Sequence, residues 1–186
     1  MKIYVTGLGV VSGIGLGVAE NIASLRKHQH GMGKVTLFPT ELNVPVSEVK
    51  YSNEELKRLL SLDIQKTFSR TALLGMLAAR EAVDDARLDL NTLRVGFISS
   101  TSVGGMDLSE HFYNAFKKDN RKGRLREVIS HDCGASTEMI ADYLKVNDFV
   151  TTISTACSSA ANAIMLAARM IRNGHLDTAI VGGTDA

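Results

Sequence analysis

At 186 residues, with 45% hydrophobic and 22% charged side chains, the chain has the composition of a globular protein able to bury a core. A net charge of +1, from 21 basic and 20 acidic residues, excludes a global field directed at nucleic acid or a membrane surface. Two cysteines, Cys133 and Cys157, are too few for a disulfide framework and point to a reducing compartment.

The first apolar run, Ile3–Val11, reads as a strand entering a glycine-rich turn. Its single early lysine, Lys2, and the five glycines between Gly7 and Gly17 do not fit a signal peptide. No uninterrupted apolar run approaches a membrane span, so a cytoplasmic protein is expected. Gly7-Leu8-Gly9-Val10-Val11-Ser12 imitates a dinucleotide fingerprint, but Ser12 stands in place of the third glycine and no acidic partner follows at the right distance. Those glycines are read instead as turn and close-packing positions. His28 and His30 fall in a polar linker and are read as solvated. Segment Gly33–Lys50 contains both prolines, Pro39 and Pro45, and is read as a surface insertion.

The clearest helical pattern covers Lys66–Ala86, with Phe68, Ala72, Leu73, Met76, Leu77, Ala79 and Val83 at three- and four-residue spacing. Lys66, Arg70, Arg80, Glu81 and Asp84 fall on its other side. A strand over Val95–Ser100 follows, then a weaker helix over Gly134–Lys145 with Met139, Ile140, Tyr143 and Leu144 as its apolar face. His131-Asp132-Cys133, just before it, reads as loop and helix-cap residues rather than a metal cluster. A strand over Val150–Thr155 gives way to a helix that starts near Cys157 and is apolar almost all round, from Ala160 to Ile171. Such a helix belongs inside a structure. Asn173-Gly174 stops it, and a last strand covers Thr178–Val181. Strands alternating with helices predict an α/β fold whose mostly parallel sheet is covered on both faces.

Cys157 is the residue on which chemistry is expected. A thiol between a strand and a helix lies among unpaired backbone N–H groups, which favour the thiolate, the nucleophilic form. Cys133 lacks that strand-to-helix setting in the sequence.

Four passages together resemble the β-ketoacyl-[acyl carrier protein] synthases of the thiolase fold, elongating type. They are Val5-Thr6-Gly7-Leu8-Gly9-Val10-Val11-Ser12, Ser102-Val103-Gly104-Gly105-Met106, Ile153-Ser154-Thr155-Ala156-Cys157-Ser158-Ser159-Ala160 and Ala179-Ile180-Val181-Gly182-Gly183-Thr184-Asp185-Ala186. Their order is similar to that of the family's N-terminal half over the whole chain. Thr101-Ser102 departs from the further glycine that many relatives carry before Val103.

The resemblance implies thiolase-like αβα layers with a mostly parallel mixed sheet, residues 1–186 being one half of a duplicated fold and the C-terminal half absent. It implies that Cys157 accepts an acyl chain from a carrier-protein phosphopantetheine thioester, its backbone N–H serving as one oxyanion donor, and passes the chain to a carbanion formed from malonyl-carrier protein. Val103, Gly104 and Gly105 are the implied acyl-pocket loop, and Lys66, Arg70, Arg121 and Lys122 the implied dock for an acidic acyl carrier protein. No metal and no cofactor of its own is expected, since phosphopantetheine arrives on the carrier. In the family the second oxyanion donor and two assisting histidines come from the other half. His28, His30, His111, His131 and His175 match none of those positions, so the isolated chain is expected to be inactive in condensation. A homodimer paired through the edge strand at 150–154 is implied as well. The alternatives are a non-catalytic ketosynthase-like partner subunit, which the presence of Cys157 argues against, and a thiolase-type acyl-CoA transferase.

Overall fold

The computed structural model describes residues 2–186. Two small antiparallel ribbons come first: β1 (Val11–Ser12) with β2 (Gly15–Leu16), and β3 (Met32–Gly33) with β4 (Val46–Ser47), separated by helix α1 (Val18–Arg26). Helices α2 (Asn53–Leu59) and α3 (Arg70–Ala86) lead into β5 (Val95–Ser100). Then follow α4 (Met106–Lys118), α5 (Leu125–Ile129), α6 (Cys133–Leu144), β6 (Phe149–Ile153), a single 3-10 turn (Ala156–Ser158), α7 (Ser159–Arg172) and β7 (Thr178–Gly183).

The main sheet is parallel throughout, with spatial order β6-β5-β7. Gly96 pairs with Phe149 and Ser100 with Ile153 on one side, and Val95 with Thr178 and Ser100 with Gly183 on the other. All six residues of β5 are buried, as a central strand covered on both faces requires. Alternation along it assigns the layers. Phe97 packs with Leu73, Met76, Leu77 and Ile140 of α3 and α6, whereas the next residue, Ile98, packs with Ala163 and Ala167 of α7. The result is an α/β/α sandwich in which α7 alone covers its face of the sheet among the described residues. On that helix only Ser159, Ala163 and Ala167 are buried; Ile164 and Met165 remain exposed.

Three expectations need correction. The run Ile3–Val11 does not join the sheet: only Val11 is in a strand, and that strand is the small β1. Its backbone is held by carboxylates of α3 instead, Leu8 N–H donating to Asp85 Oδ2 (3.0 Å) and Val10 N–H to Glu81 Oε2 (3.0 Å). Glu81 also accepts Val18 N–H at 2.7 Å, so it is a half-buried anchor rather than a solvated charge. The segment runs so close to α3 that a Cβ on Gly9 would lie 1.9 Å from the carbonyl oxygen of Ala78, which confirms the close-packing reading of that glycine.

The helix expected from Lys66 begins at Arg70. Ser69 caps it by accepting Ala72 N–H at 3.2 Å, leaving Lys66 in the preceding turn. Cys133 is the first residue of α6, which begins one residue before the expected Gly134. Asp132 is the N-cap, its Oδ1 accepting Gly134 N–H at 2.6 Å, as the loop-and-cap reading of His131-Asp132-Cys133 supposed. The Gly33–Lys50 segment lies at the surface, with β3 and β4 paired across it and both prolines exposed. Among the described residues no helix is long and apolar enough to cross a membrane.

Candidate active site

Because β5, β6 and β7 are parallel, their C-terminal ends open on the same edge of the sheet, the edge at which α/β proteins place ligands. Three segments leave it: Thr101–Gly105 after β5, Thr155–Ser158 after β6, and Thr184–Ala186 after β7. Ser100 pairs with both Ile153 and Gly183, so the three begin at nearly the same level. Cys157, Val103 to Gly105, and the Gly182-Gly183-Thr184-Asp185-Ala186 motif are thereby brought together at one end of the molecule.

Cys157 sits at the middle of the 3-10 turn and is exposed. The preceding residue, Ala156, has φ of +51°, a left-handed conformation that an alanine adopts at a cost. Neighbouring polar groups hold the turn in that shape. Ser159 Oγ accepts Thr155 N–H at 2.8 Å and donates to the Ala156 carbonyl at 2.7 Å. Ser158 Oγ donates to the Thr155 carbonyl at 2.8 Å, and Asn162 Nδ2 donates to Thr155 Oγ1 at 2.9 Å. The turn feeds directly into the first turn of α7, where backbone N–H groups have no intrahelical partner. A thiol there is accessible, rigidly mounted and close to donors that can receive negative charge developing on a substrate carbonyl.

The loop after β5 is also tightly built. Thr101, 2% exposed, accepts Val103 N–H (3.2 Å) and Gly104 N–H (3.0 Å) on its hydroxyl oxygen. Gly105 packs against the end of α5: a Cβ on it would lie 1.9 Å from the Ser130 carbonyl oxygen. Across the opening, Thr184 Oγ1 donates to the Thr71 carbonyl at 3.0 Å and Thr184 N–H to the Ser100 carbonyl at 3.0 Å, tying the segment after β7 to α3 and β5.

The basic residues fare unequally. Lys66 is exposed, in the turn before α3. Arg70 is half-buried and acts as an internal strap, its guanidinium donating to the Val49 carbonyl (2.7 Å), the Tyr51 carbonyl (2.9 Å) and Asn53 Oδ1 (3.0 Å). Burial also pushes its guanidinium below the usual arginine range. The premise that Lys66 and Arg70 share the exposed side of one helix is therefore wrong. The backbone N–H of Arg70 donates to Asp107 Oδ2 at 2.8 Å, which sets this corner beside the first turn of α4, next to the Thr101–Gly105 loop. Arg121 and Lys122, in the turn after α4, have side chains 87% and 73% exposed and both lie near Asp119, at 3.3 and 3.8 Å. The histidines with side-chain partners are turned to other groups: His131 Nδ1 lies 3.0 Å from Ser109 Oγ and His111 Nδ1 3.6 Å from Glu127 Oε2. Among the described residues no group of three or more His, Cys, Asp or Glu side chains could hold a metal ion.

The family described as beta-ketoacyl synthase, N-terminal domain, matches residues 1–186. The chain belongs to the β-ketoacyl synthase family. This ketoacyl-synthase chain is 28% identical over 193 residues to Nodulation protein E of Rhizobium sp. (strain N33), covering 100% of itself and 47% of that protein. It is 28% identical over 195 residues to 3-oxoacyl-[acyl-carrier-protein] synthase 2 of Staphylococcus aureus (strain MRSA252), covering 46% of that protein. It spans about half the length of the curated relatives it matches. Among solved structures it is similar to the ishigamide ketosynthase/chain length factor, with a TM-score of 0.85, 27% identity, and coverage of 98% of this chain and 47% of that one. A type II polyketide acyl-carrier protein in complex with its ketosynthase bound to the hexaketide matches with a TM-score of 0.77 at 22% identity, over 98% of this chain and 44% of that one, and shows the shared fold. The thiolase-like fold expected from the four motifs is thus the fold observed.

Asp185 is the site residue that the sequence reading passed over. It belongs to the Gly182-Gly183-Thr184-Asp185-Ala186 motif. A carboxylate directly after a strand and a glycine pair was the available signal.

Proposed function

We propose that this chain carries the nucleophile of a condensing enzyme that extends a fatty-acid or polyketide-type chain by decarboxylating Claisen condensation. The observation that carries the reading is Cys157: an exposed thiol on a rigid turn at the C-terminal end of a parallel sheet, immediately before a helix. In the proposed reaction the Cys157 thiolate attacks the carbonyl of an acyl-carrier thioester. The tetrahedral oxyanion collapses, the carrier's phosphopantetheine thiol leaves with a proton, and the acyl group remains on sulfur. Malonyl-carrier protein then loses carbon dioxide. The carbanion left on the α-carbon of the carrier thioester attacks the acyl-Cys157 carbonyl, a C–C bond forms, the C–S bond breaks to return the Cys157 thiolate, and a β-ketoacyl-carrier product two carbons longer departs.

In this reading Val103, Gly104 and Gly105 border the acyl chain, and Lys66, Arg121 and Lys122 offer the carrier its basic dock, with Arg70 supporting the corner from within. The backbone N–H of Cys157 is one oxyanion donor. The second donor and the decarboxylating groups come from the additional length that the relatives possess, in a two-half, homodimeric, cytoplasmic enzyme paired along β6, an edge strand of the main sheet. A second reading, a non-catalytic partner subunit, draws on one observation, the chain length factor named together with the ketosynthase in a similar structure. Cys157 favours the catalytic reading, because an idle subunit has no use for an accessible thiol on a strained turn.

Replacement of Cys157 by Ser in the full-length protein tests the proposal. Condensation of acyl- with malonyl-carrier protein falls to background, since a hydroxyl without a dedicated base is a far weaker nucleophile. Undiminished β-ketoacyl product from the Ser variant would place the nucleophile elsewhere, and no product from the unsubstituted protein would assign it to the non-catalytic class.

A further inference from the structure

We infer that Asp185 is a positioning residue that fixes the Thr101–Gly105 loop and thereby sets which acyl chains reach Cys157; the acyl part of this inference rests on the function proposed above. One oxygen of its carboxylate, Oδ1, accepts three hydrogen bonds from that loop: Thr101 Oγ1–H at 2.5 Å, Ser102 N–H at 3.0 Å and Val103 N–H at 3.3 Å. The Thr101 hydroxyl, having given its proton to Asp185, is left free to accept Val103 N–H at 3.2 Å and Gly104 N–H at 3.0 Å. A single anion thus orients, directly or through one hydroxyl, the backbone N–H groups of three consecutive residues. Those residues include two of the three assigned to the acyl pocket.

A carboxylate suits this place best. All three groups pointing at Oδ1 are donors, and hydrogen bonds to an ionised acceptor are about twice as strong as neutral ones. The carboxylate itself is well anchored. The residue before it, Thr184, is tied to the Ser100 and Thr71 carbonyls. Ser100 Oγ donates to the Gly182 carbonyl at 3.0 Å. The end of β7 is therefore fastened to the end of β5, and Asp185 transmits that position to the loop. Gly104 and Gly105 pack closely against Cys133 and Ser130 on one side of the loop, and on the other side the backbone N–H contacts to Asp185 and Thr101 hold it.

The test uses the full-length protein, with Asp185→Ala and Asp185→Asn, and two readouts. Amide hydrogen exchange reports on the loop whatever the activity. Acyl transfer to Cys157 from N-acetylcysteamine thioesters of increasing chain length, read by mass spectrometry, reports on the pocket without engaging a carrier dock. In Asp185→Ala the amides of Ser102 and Val103 exchange at least about tenfold faster while those of β5 keep their protection. The ratio of long-chain to acetyl transfer shifts by about tenfold. Asp185→Asn, which keeps an acceptor oxygen but not the charge, restores part of both effects, a rescue that general destabilisation would not give.

Unchanged exchange at Ser102 and Val103 would overturn the positioning role. Faster exchange with an acyl profile lowered equally at every length would overturn the selectivity role. If the unsubstituted protein takes no acyl group from any thioester, the proposed function fails and the selectivity role with it, while the exchange data still decide whether Asp185 holds the loop. Should Asp185→Ala lose protection in β5 as well, Asp185→Asn carries the test: exchange at Ser102 and Val103 faster than in the unsubstituted protein, with β5 still protected, is the expected result, and unchanged exchange at both amides would count against the inference.

Discussion

The two cysteines differ in mounting more than in type. Each lies at a helix start: Cys133 opens α6, and Cys157 sits in the turn that feeds α7. Cys133 is half-buried in the first turn of a helix capped by Asp132, whereas Cys157 is exposed and flanked by hydroxyls and backbone amides. Iodoacetamide labelling followed by peptide mapping should therefore modify Cys157 ahead of Cys133; the reverse order would remove the physical basis for choosing Cys157. At this scale the strand-to-helix setting of Cys157 was legible in the sequence because a β-branched run gives way there to an alanine-rich one. Arg70 was misread for a physical reason. Helical spacing tells which residues share a face, but not that Ser69 ends the pattern or that carbonyls from a distant loop meet the guanidinium. Asp185 was missed because its partners lie more than eighty residues away in sequence, and no local pattern encodes that distance.

Elements whose hydrogen bonds are internal were the ones the sequence disclosed: β5, α6 and the body of α3 follow their apolar pattern closely, and α7 forms as expected although it buries only one narrow face, with Ile164 and Met165 exposed. Elements fixed by side chains from elsewhere were not. The Ile3–Val11 run has strand composition, yet Glu81 and Asp85 capture backbone N–H groups along it. Helix α2 carried an unused signal, a capping box in which Ser52 and Glu55 exchange hydrogen bonds. In the insertion, the Glu48 carboxylate accepts Thr36 N–H, Thr36 Oγ1–H and Leu37 N–H and pairs with Lys50 Nζ at 2.7 Å. Lys50 and Thr36, the largest contributors, lower its pKa from 4.5 to about 2. The folded value lies below the unfolded one, so this contribution is complete above the unfolded pKa and is lost as pH falls through about 2. An acid titration followed by NMR should show Glu48 protonating near pH 2, with the Thr36 and Leu37 amide shifts moving in step. Protonation at the ordinary glutamate position, with those amides unmoved, would mean that the insertion is not held by this carboxylate.

At the scale of the whole molecule, the sheet has only three strands and both of its outer edges, on β6 and β7, are unpaired among the described residues. A cleft of about 440 Å³ lies along the open edge of β7, between the Ile3–Gly9 segment, α3 and α7; Cys157 does not line it. Helix α4 buries no residue, and Tyr113, Leu125 and Ile129 of α4 and α5 stand exposed. Such open edges and apolar faces suit a unit that is covered within a larger assembly, in keeping with relatives about twice its length. The proposed carrier dock belongs to this scale. Arg121→Glu in the full-length protein should raise the Michaelis constant for carrier-bound substrate several-fold and weaken its salt dependence, while small thioester mimics react as before. Equal loss with both substrate types would mean a fold defect instead. The central claim, that this chain accepts an acyl group on Cys157, is tested most directly by incubating the protein with acyl-carrier protein, quenching, and mapping the modified peptide by mass spectrometry. A single acyl group on Cys157, absent from Cys157→Ser, is the predicted result. An acyl group on Cys133, or none at all while iodoacetamide still alkylates Cys157, would contradict it.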